Sequence, residues 1–132
     1  MPSKEQFIEG IIQSCQEIFE VMLPLKLSAN MLKRPLPFNY SVAEVNEDIF
    51  ASIGLTGANS GTISMYISEQ MALHLASLLM EENYQEFNHE VYESIGEMIN
   101  MIAGGLKNRL STEEQDLYDL SSPIIISGKN KA

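Results

Sequence analysis

The sequence predicts an α+β domain in which helices pack on one face of a mainly antiparallel sheet. Residues 5–22 carry apolar side chains at steps of three and four, which is typical of an amphipathic helix. Residues 49–67 contain two alternating segments joined by TGANSG, which is typical of a hairpin. Two further helical segments and a short apolar strand follow, and this order of elements favours the α+β class.

The first helix has one continuous apolar side, formed by Phe7, Ile8, Ile11, Ile12, Cys15, Ile18, Phe19 and Met22. A single cysteine cannot form an internal disulfide, so we expect Cys15 to be a small core residue, with a reactive thiol as the alternative. Three prolines between positions 24 and 37 prevent a helix in the next stretch. YSVAEVN at residues 40–46 begins an alternating pattern that suits a strand.

The remaining elements follow in close succession. In the hairpin, apolar residues alternate within each segment: Ile49, Ala51, Ile53 and Leu55 in the first, and Ile63, Met65 and Ile67 in the second. Ser68 is a favoured N-cap for a helix over about 68–82, whose predicted buried side is Met71, Leu75, Leu78 and Leu79. A long helix is predicted over about 87–110, and IIIS after Ser122-Pro123 predicts a last strand. No linker divides the chain, so we expect a single domain over residues 1–132.

Charge and hydropathy exclude several classes of partner. Eight basic residues against 18 acidic ones give a formal net charge of -10, the opposite of what a phosphate-backbone binder needs. We therefore expect no nucleic acid and no anionic membrane as partner. No apolar run approaches the roughly 20 residues that span a bilayer, and MPSKEQFIEG has no apolar signal region. A cytoplasmic location is expected.

The long helix carries two opposite faces. At about 100° per residue, one arc is continuously apolar and should face the sheet, and it consists of Val91, Ile95, Met98, Ile99, Ile102 and Leu106. Almost opposite lies a narrow line that we call the polar stripe: Glu93, Glu97, Asn100 and Gly104. Any helix has a solvated side, so exposure alone explains part of this pattern.

Poor helix formers in the polar stripe favour a docking surface over a merely solvated one. Asn is a mediocre helix former, and Gly-Gly costs on the order of 1 to 2 kcal/mol relative to Ala-Ala. Gly104 beyond Asn100 leaves a step without a side chain, where a partner can approach the backbone. Two alternatives stay open for Gly104 and Gly105: they allow this helix to pack closely on another element, or they mark the point where the helix starts to end.

Other kinds of site have weaker support. His89, Glu93 and Glu97 follow at four-residue steps and offer ligands for a divalent ion, but such a line is an edge and not a chelating pocket. We expect no metal site. His74 lies beside the leucine-rich face of the second helix and is expected at the boundary of the core. The sequence has no phosphate loop, no G-x-S-x-G and no Cys/His pairing, which disfavours a self-contained hydrolase.

The segment GEMINMIAGGLK at residues 96–107 resembles the signature helix of the CheC/CheX/FliY chemotaxis phosphatases, and most closely that of CheX. The preceding FASIGLTGANSGTISMYI and SEQMALHLASLLM resemble the hairpin and helix that come before this signature. The resemblance covers residues 5–128 or so. It implies a CheX-like, or CheC-like, fold.

The resemblance also implies a function and a site. It implies a phosphatase that removes the aspartyl phosphate of a phosphorylated CheY-like response regulator in chemotaxis signalling, with Mg²⁺ held by the receiver and no cofactor bound by this chain. By the same resemblance, Glu97 pairs with the receiver's lysine, Asn100 holds the attacking water, and Glu93 and Gly104 contact the partner. The alternative is a non-catalytic CheX-like module that binds a receiver or another chemotaxis or motor component, which an acidic surface favours.

This chain departs from the family pattern at three places. Glu93 stands where the family usually has Asp or Ser. Gln13, Glu17 and Glu20 form a similar stripe on the first helix, but Glu20 stands in the place of the asparagine, so we expect one active surface per chain. CheX-like chains usually continue past SPIIISG into two more strands. We therefore expect a fold that lacks these strands. Its open sheet edge is expected to be completed by a second copy of the chain in a homodimer, for which strand exchange is one route.

Overall fold

The computed structural model describes residues 2–22, 48–111 and 118–128. In these ranges the chain forms three α-helices and four strands, in the order α1 (Lys4–Glu17), β1 (Asp48–Gly57), β2 (Gly61–Ser68), α2 (Glu69–Met80), α3 (His89–Leu110), β3 (Tyr118–Leu120) and β4 (Ile124–Ser127). A π-helical turn over Ile18–Met22 continues α1. The α+β prediction is confirmed, whereas the strand predicted at residues 40–46 lies outside the described residues.

Each helix begins at a side chain that caps it. Ser3, Ser68 and Asn88 accept a hydrogen bond from the backbone N–H three residues further on, at 3.2, 3.0 and 3.0 Å. These bonds satisfy amides that the first helical turn leaves without a partner. The cap at Ser68 confirms the predicted start of α2. The cap at Asn88 explains why α3 begins at His89 and not at residue 87.

Strand β1 is the centre of one antiparallel sheet. It pairs with β2 along one side, and with both β3 and β4 along the other. Leu55 pairs with Leu120 of β3, and Ser52 pairs with Ile124 of β4. The chain therefore advances by four residues from β3 to β4 while β1 advances by three. This extra residue is a β-bulge between β3 and β4.

The bulge is held by two hydrogen bonds and changes which side chains face the helices. The Ser121 N–H donates to the Gly54 carbonyl at 3.0 Å, and the Ser121 hydroxyl accepts from the Gly54 N–H at 2.8 Å. Strict alternation from Tyr118 would point Ile124 inward. The extra residue instead buries Ile125, while Ile124 stays 59% exposed.

The core lies between the sheet and α3, as predicted. The predicted inward residues of β1 are all buried: Ile49, Ala51, Ile53 and Leu55. All six residues of the predicted apolar arc of α3 are also at most 4% exposed. On the other face of the sheet, Phe50 and Tyr66 are half-buried and their ring centroids lie 4.9 Å apart. The described helices therefore pack on one face.

The predicted buried face of α2 is wrong at one position. Met71 is 45% exposed, while Ala72, Leu75 and Ala76 are buried and Leu79 is half-buried. The buried line is thus rotated by one residue from the predicted one. The sequence predicted the larger apolar residues to be buried. Instead, the small side chains of Ala72 and Ala76 let this helix lie close to the core.

No local pattern in the sequence predicts strand β3 (Tyr118–Leu120). Tyr118 is its buried residue, at 1% exposure. Its ring meets that of Phe7 edge to face with centroids 5.8 Å apart, and its hydroxyl donates to Asn59 Oδ1 at 2.7 Å. A strand of three residues is too short for alternation to be visible.

Helices α1 and α3 approach each other closely through small residues. The Ser14 hydroxyl is buried and donates to the Ile102 carbonyl at 2.7 Å. A Cβ at Gly105 would overlap the Ser14 side chain, and a Cβ at Gly10 would lie 2.8 Å from the Leu106 Cδ1 atom. Gly105 therefore serves close helix packing, one of the two uses that the sequence left open.

Cys15 is half-buried at the same interface. It packs against the cluster that contains Ile18, Leu75 and Met98. Burial raises the pKa of its thiol, so the neutral form is favoured. Both features support the core role over the reactive thiol. In the described ranges, no helix combines the length and apolar character needed to cross a membrane.

Candidate active site

The polar stripe of α3 faces solvent because the apolar arc on its other side holds the helix against the sheet. Glu93, Glu97 and Asn100 are exposed, and Gly104 is half-buried. The four positions fall within about 60° around the helix axis. In the described parts of the chain, the Glu97 carboxylate and the Asn100 amide have no hydrogen-bond partner. Both groups are therefore available to a partner.

The two adjacent glycines of α3 lie in different surroundings. A Cβ at Gly104 would meet no described atom within 4 Å, whereas Gly105 points to α1. Helix geometry separates consecutive residues by about 100°, so one can be open while the other is packed. Gly104 thus extends the open surface beyond Asn100.

The first three residues of the polar stripe, Glu93, Glu97 and Asn100, line a groove of about 740 Å³. One wall comes from the end of α2, where Leu79 and Met80 lie beside Met101 of α3. The other wall comes from the start of β4, where Pro123 and Ile125 lie beside Tyr92 and Gly96 of α3. Glu93, Glu97 and Asn100 lie between the two walls. The acid and the amide are thereby placed in a depression that a protruding or complementary surface can fill.

Glu93 is engaged at the N-terminal end of the groove. Its carboxylate lies 2.9 Å from His89 Nε2, and both side chains are highly exposed, at 67% and 80%. The His89 ring also stacks on Tyr92, with ring centroids 6.3 Å apart and planes 11° from parallel. Both contacts position the His89 ring beside the Glu93 carboxylate and the Tyr92 ring.

The described residues contain no group of three His, Cys, Asp or Glu side chains that could hold a metal ion. The predicted line of His89, Glu93 and Glu97 reduces to the exposed pair of the first two. His74 is exposed on α2, so it lies on the solvent side of the helix and not at the core boundary where we expected it.

Glu90 lines the groove near the start of α3 and is hydrogen-bonded to Tyr84 in the segment between α2 and α3. The Tyr84 hydroxyl donates to its carboxylate at 2.7 Å. This hydrogen bond to Glu90, with desolvation and nearby carboxylates, raises the pKa of Tyr84 to about 12. The phenol therefore stays protonated, and keeps donating this bond, at any physiological pH.

The similar stripe on α1 differs in its surroundings. Glu17, the counterpart of Glu97, accepts a hydrogen bond from Arg109 Nη2, and Arg109 also donates to the Gly105 carbonyl at 3.0 Å. Gln13 donates to Glu9 at 3.2 Å. The Glu17 carboxylate on α1 is thus paired with a cation of the same chain, whereas the Glu97 carboxylate on α3 has no such partner among the described residues. This supports the prediction of one active surface. The sequence could not reveal the Arg109 contact, because its two residues are 92 positions apart.

Fold and site together define a class: an α+β domain that presents a carboxylate and an amide, one helical turn apart, in an open groove on a firmly packed helix. The sequence model of the family described as "Chemotaxis phosphatase CheX" matches residues 49–132, which include all of α3 and all of the hairpin except Asp48. This chain belongs to the chemotaxis phosphatase CheX family.

Individual relatives agree with this assignment. The CheY-P phosphatase CheX of Thermotoga maritima is 28% identical over 95 residues, which cover 71% of this chain and 61% of that protein. The chain thus matches less than two thirds of this relative's length.

Solved structures show the same fold. The chemotaxis protein CheX of Vibrio vulnificus has a TM-score of 0.75 and 25% identity, over 100% of this chain and 81% of that one. A chain of the CheX-CheY-BeF3-Mg+2 complex from Borrelia burgdorferi has a TM-score of 0.65 and 25% identity, over 94% of this chain and 78% of that one. The recognised family and the CheX-like fold are both confirmed.

Proposed function

We propose that this protein accelerates the hydrolysis of the aspartyl phosphate on a CheY-like receiver domain in chemotaxis signalling. The observation that carries the proposal is the exposed pair of Glu97 and Asn100, presented in a groove by a helix of the CheX family. Two relatives support it: one is named a CheY-P phosphatase, and one was solved in complex with CheY, BeF3 and Mg²⁺.

The chemistry asks little of this chain beyond positioning. A water oxygen attacks phosphorus, the bond from phosphorus to the aspartate oxygen breaks, and inorganic phosphate and the free carboxylate result. An amide can accept a hydrogen bond from this water and donate one to a phosphoryl oxygen, so Asn100 can orient the attack. The Mg²⁺ that stabilises the phosphoryl charge belongs to the receiver. We propose that this chain supplies neither a metal nor a general base.

Glu97 has a complementary role in this proposal. Side chains three residues apart on a helix have Cβ atoms about 5 to 6 Å from each other. Glu97 can therefore pair with the receiver's lysine while Asn100 reaches the water. Glu93 and Gly104 contact the receiver at the two ends of the polar stripe, and Gly104 is suited to this because no side chain covers the backbone there.

The decay of a phosphorylated CheY-like receiver from the same genome, measured with and without this protein, tests the proposal. Acceleration at substoichiometric amounts of the protein supports catalysis. If the receiver decays at its intrinsic rate but still binds, the protein is a non-catalytic receiver-binding module, the alternative function. If neither binding nor acceleration occurs with any receiver of that genome, the phosphatase function is wrong, and of the alternative only binding to another chemotaxis or motor component is left.

Replacing Glu97 with alanine should lower kcat/KM for dephosphorylation by roughly 10- to 100-fold, because a charge partner of the receiver's lysine is lost. We expect both a higher KM and a lower kcat, measured by receiver decay over a range of receiver concentrations. Glu86→Ala is the matched control, since it removes the same charge from an exposed position outside the groove. Equal kinetics for the Glu97→Ala and Glu86→Ala variants would contradict the lysine-pairing role.

We infer a cytoplasmic location, because the proposed partner is a cytoplasmic receiver.

We also infer that the protein forms a homodimer. Among the described strands, β2 and the β3–β4 pair each have one edge without a strand neighbour, and such edges favour pairing with another chain. Ile124 and Ile126 are 59% and 39% exposed beside the second edge. Light scattering on the purified protein should give twice the monomer mass, and a monomer at all concentrations would exclude the dimer.

A further inference from the structure

We propose that Met80 and Tyr92 are the apolar anchors that hold a receiver domain on the two sides of the polar stripe, and so determine which receivers are bound. The inference rests on the proposed function, because it takes the receiver as the occupant of the groove. It adds two residues outside the GEMINMIAGGLK segment and assigns them most of the docking affinity.

Large apolar side chains are exposed at five described positions: Met71, Met80, Tyr92, Ile124 and Ile126. Two of these border the groove, with Met80 at 48% and Tyr92 at 40% exposure. They belong to opposite walls. Met80 ends α2 on one side of the stripe, and Tyr92 lies on the β4 side, where its ring stacks on His89. A surface that covers the groove at Glu97 and Asn100 can therefore contact Met80 on one side and Tyr92 on the other.

Charge alone does not favour this encounter. Glu90, Glu93 and Glu97 line the groove of a chain with a formal net charge of -10. The phosphorylation site of a receiver carries a phosphoryl group and the carboxylates that hold Mg²⁺, so the two surfaces repel at long range. The lysine that pairs with Glu97 is a single compensating charge. We therefore expect apolar contacts to supply most of the affinity, because burying Met or Tyr at an interface is favourable.

The occupant follows from continuity with the candidate site. Leu79, Met101, Pro123 and Ile125 extend both apolar walls down to the polar stripe, so the anchors and the catalytic pair form one continuous surface. The matching surface is that of a receiver with apolar residues on two sides of an acidic pocket. The thioether of Met80 adapts to partners of varied shape, while the stacked ring of Tyr92 is a more rigid contact.

The test measures binding of a CheY-like receiver from the same genome, activated with beryllofluoride and Mg²⁺, to the full chain and its variants. Met80→Gln and Tyr92→Ser should each raise the Kd at least about tenfold. They should raise the KM for dephosphorylation by a similar factor while kcat falls by much less. Met71→Gln is the matched control, because Met71 is equally exposed on the same helix but lies outside the groove. It should bind within twofold of the parent.

The outcomes separate this inference from the function on which it rests. If the parent protein binds and Met80→Gln and Tyr92→Ser bind within twofold of it, the anchors are wrong while the proposed function stands. A loss of the same size in Met71→Gln would also overturn the inference, because position in the groove would then not matter. If the parent protein itself fails to bind any receiver, the proposed function is wrong and the anchors are wrong with it. Circular dichroism of each variant checks that the fold is retained.

Discussion

Replacing Asn100 with alanine should lower the stimulated rate of receiver dephosphorylation at least about 100-fold, because in the proposed mechanism the attacking water loses the group that orients it. The folding free energy should change little, since Asn100 is exposed. The measurement compares the decay of a phosphorylated receiver with the parent protein and with Asn100→Ala. Binding of the beryllofluoride-activated receiver should persist, so the loss should lie mainly in kcat.

Asn108→Ala provides the control for this experiment. Asn108 is an exposed asparagine on the same helix, two turns beyond Asn100 and outside the groove. Its replacement should leave the stimulated rate unchanged. If Asn100→Ala also retains the full rate, Asn100 does not orient the water, and another group must be sought in the groove.

Replacing Gly105 with alanine should destabilise the fold, although alanine is the better helix former. The added Cβ would overlap the Ser14 hydroxyl and lie 3.2 Å from the Ser14 Cβ. Rotating the hydroxyl away would break its buried bond to the Ile102 carbonyl and still leave the Cβ contact tight. Overpacking of about 1 to 3 kcal/mol and a lost bond of about 1 kcal/mol exceed the helix-propensity gain of about 1 kcal/mol. We expect a net loss of roughly 1 to 3 kcal/mol, measured by urea unfolding.

Gly104→Ala is the matched control at the neighbouring position. No described atom lies within 4 Å of the added Cβ, so the variant should gain about 0.5 to 1 kcal/mol of stability from helix propensity. Equal stability changes in Gly104→Ala and Gly105→Ala would contradict the different packing of the two glycines.

The same Gly104→Ala variant tests the docking role of the polar stripe. Since the Cβ would project into the surface that we propose the receiver approaches, we expect KM for dephosphorylation to rise several-fold while the protein itself becomes more stable. Opposite signs for stability and docking separate an interface effect from a folding defect. A variant with unchanged KM would show that the receiver does not approach the backbone at Gly104.

Most of the fold, and the position of the candidate site, could be predicted from local patterns. The apolar arc of α3 requires an opposite face in any helix, so the exposure of Glu97 and Asn100 followed from spacing alone and is confirmed. The hairpin followed from alternation on both sides of TGANSG. The family followed from the segment at residues 96–107, whereas the catalytic role of Asn100 stays a prediction that its alanine variant tests.

The errors and omissions have a common cause. Met71 was predicted to be buried because it is large and apolar, but the face that α2 presents to the core depends on which other elements lie below it. β3 was missed because it is too short to show alternation, and because the residues that hold Tyr118, Phe7 and Asn59, are far away along the chain. Local periodicity contains no information on such contacts.

The sequence by itself determined the element types, the amphipathic geometry of α3 and the polar stripe, because helix and strand periods act over a few residues. Only the tertiary structure decided that Gly105 packs against α1 while Gly104 stays open. It also decided that Arg109 binds the Glu17 carboxylate, and that Met80 and Tyr92 lie on the two sides of the polar stripe. These features join residues from separate elements. They depend on how helices and strands pack in three dimensions, which no local spacing encodes.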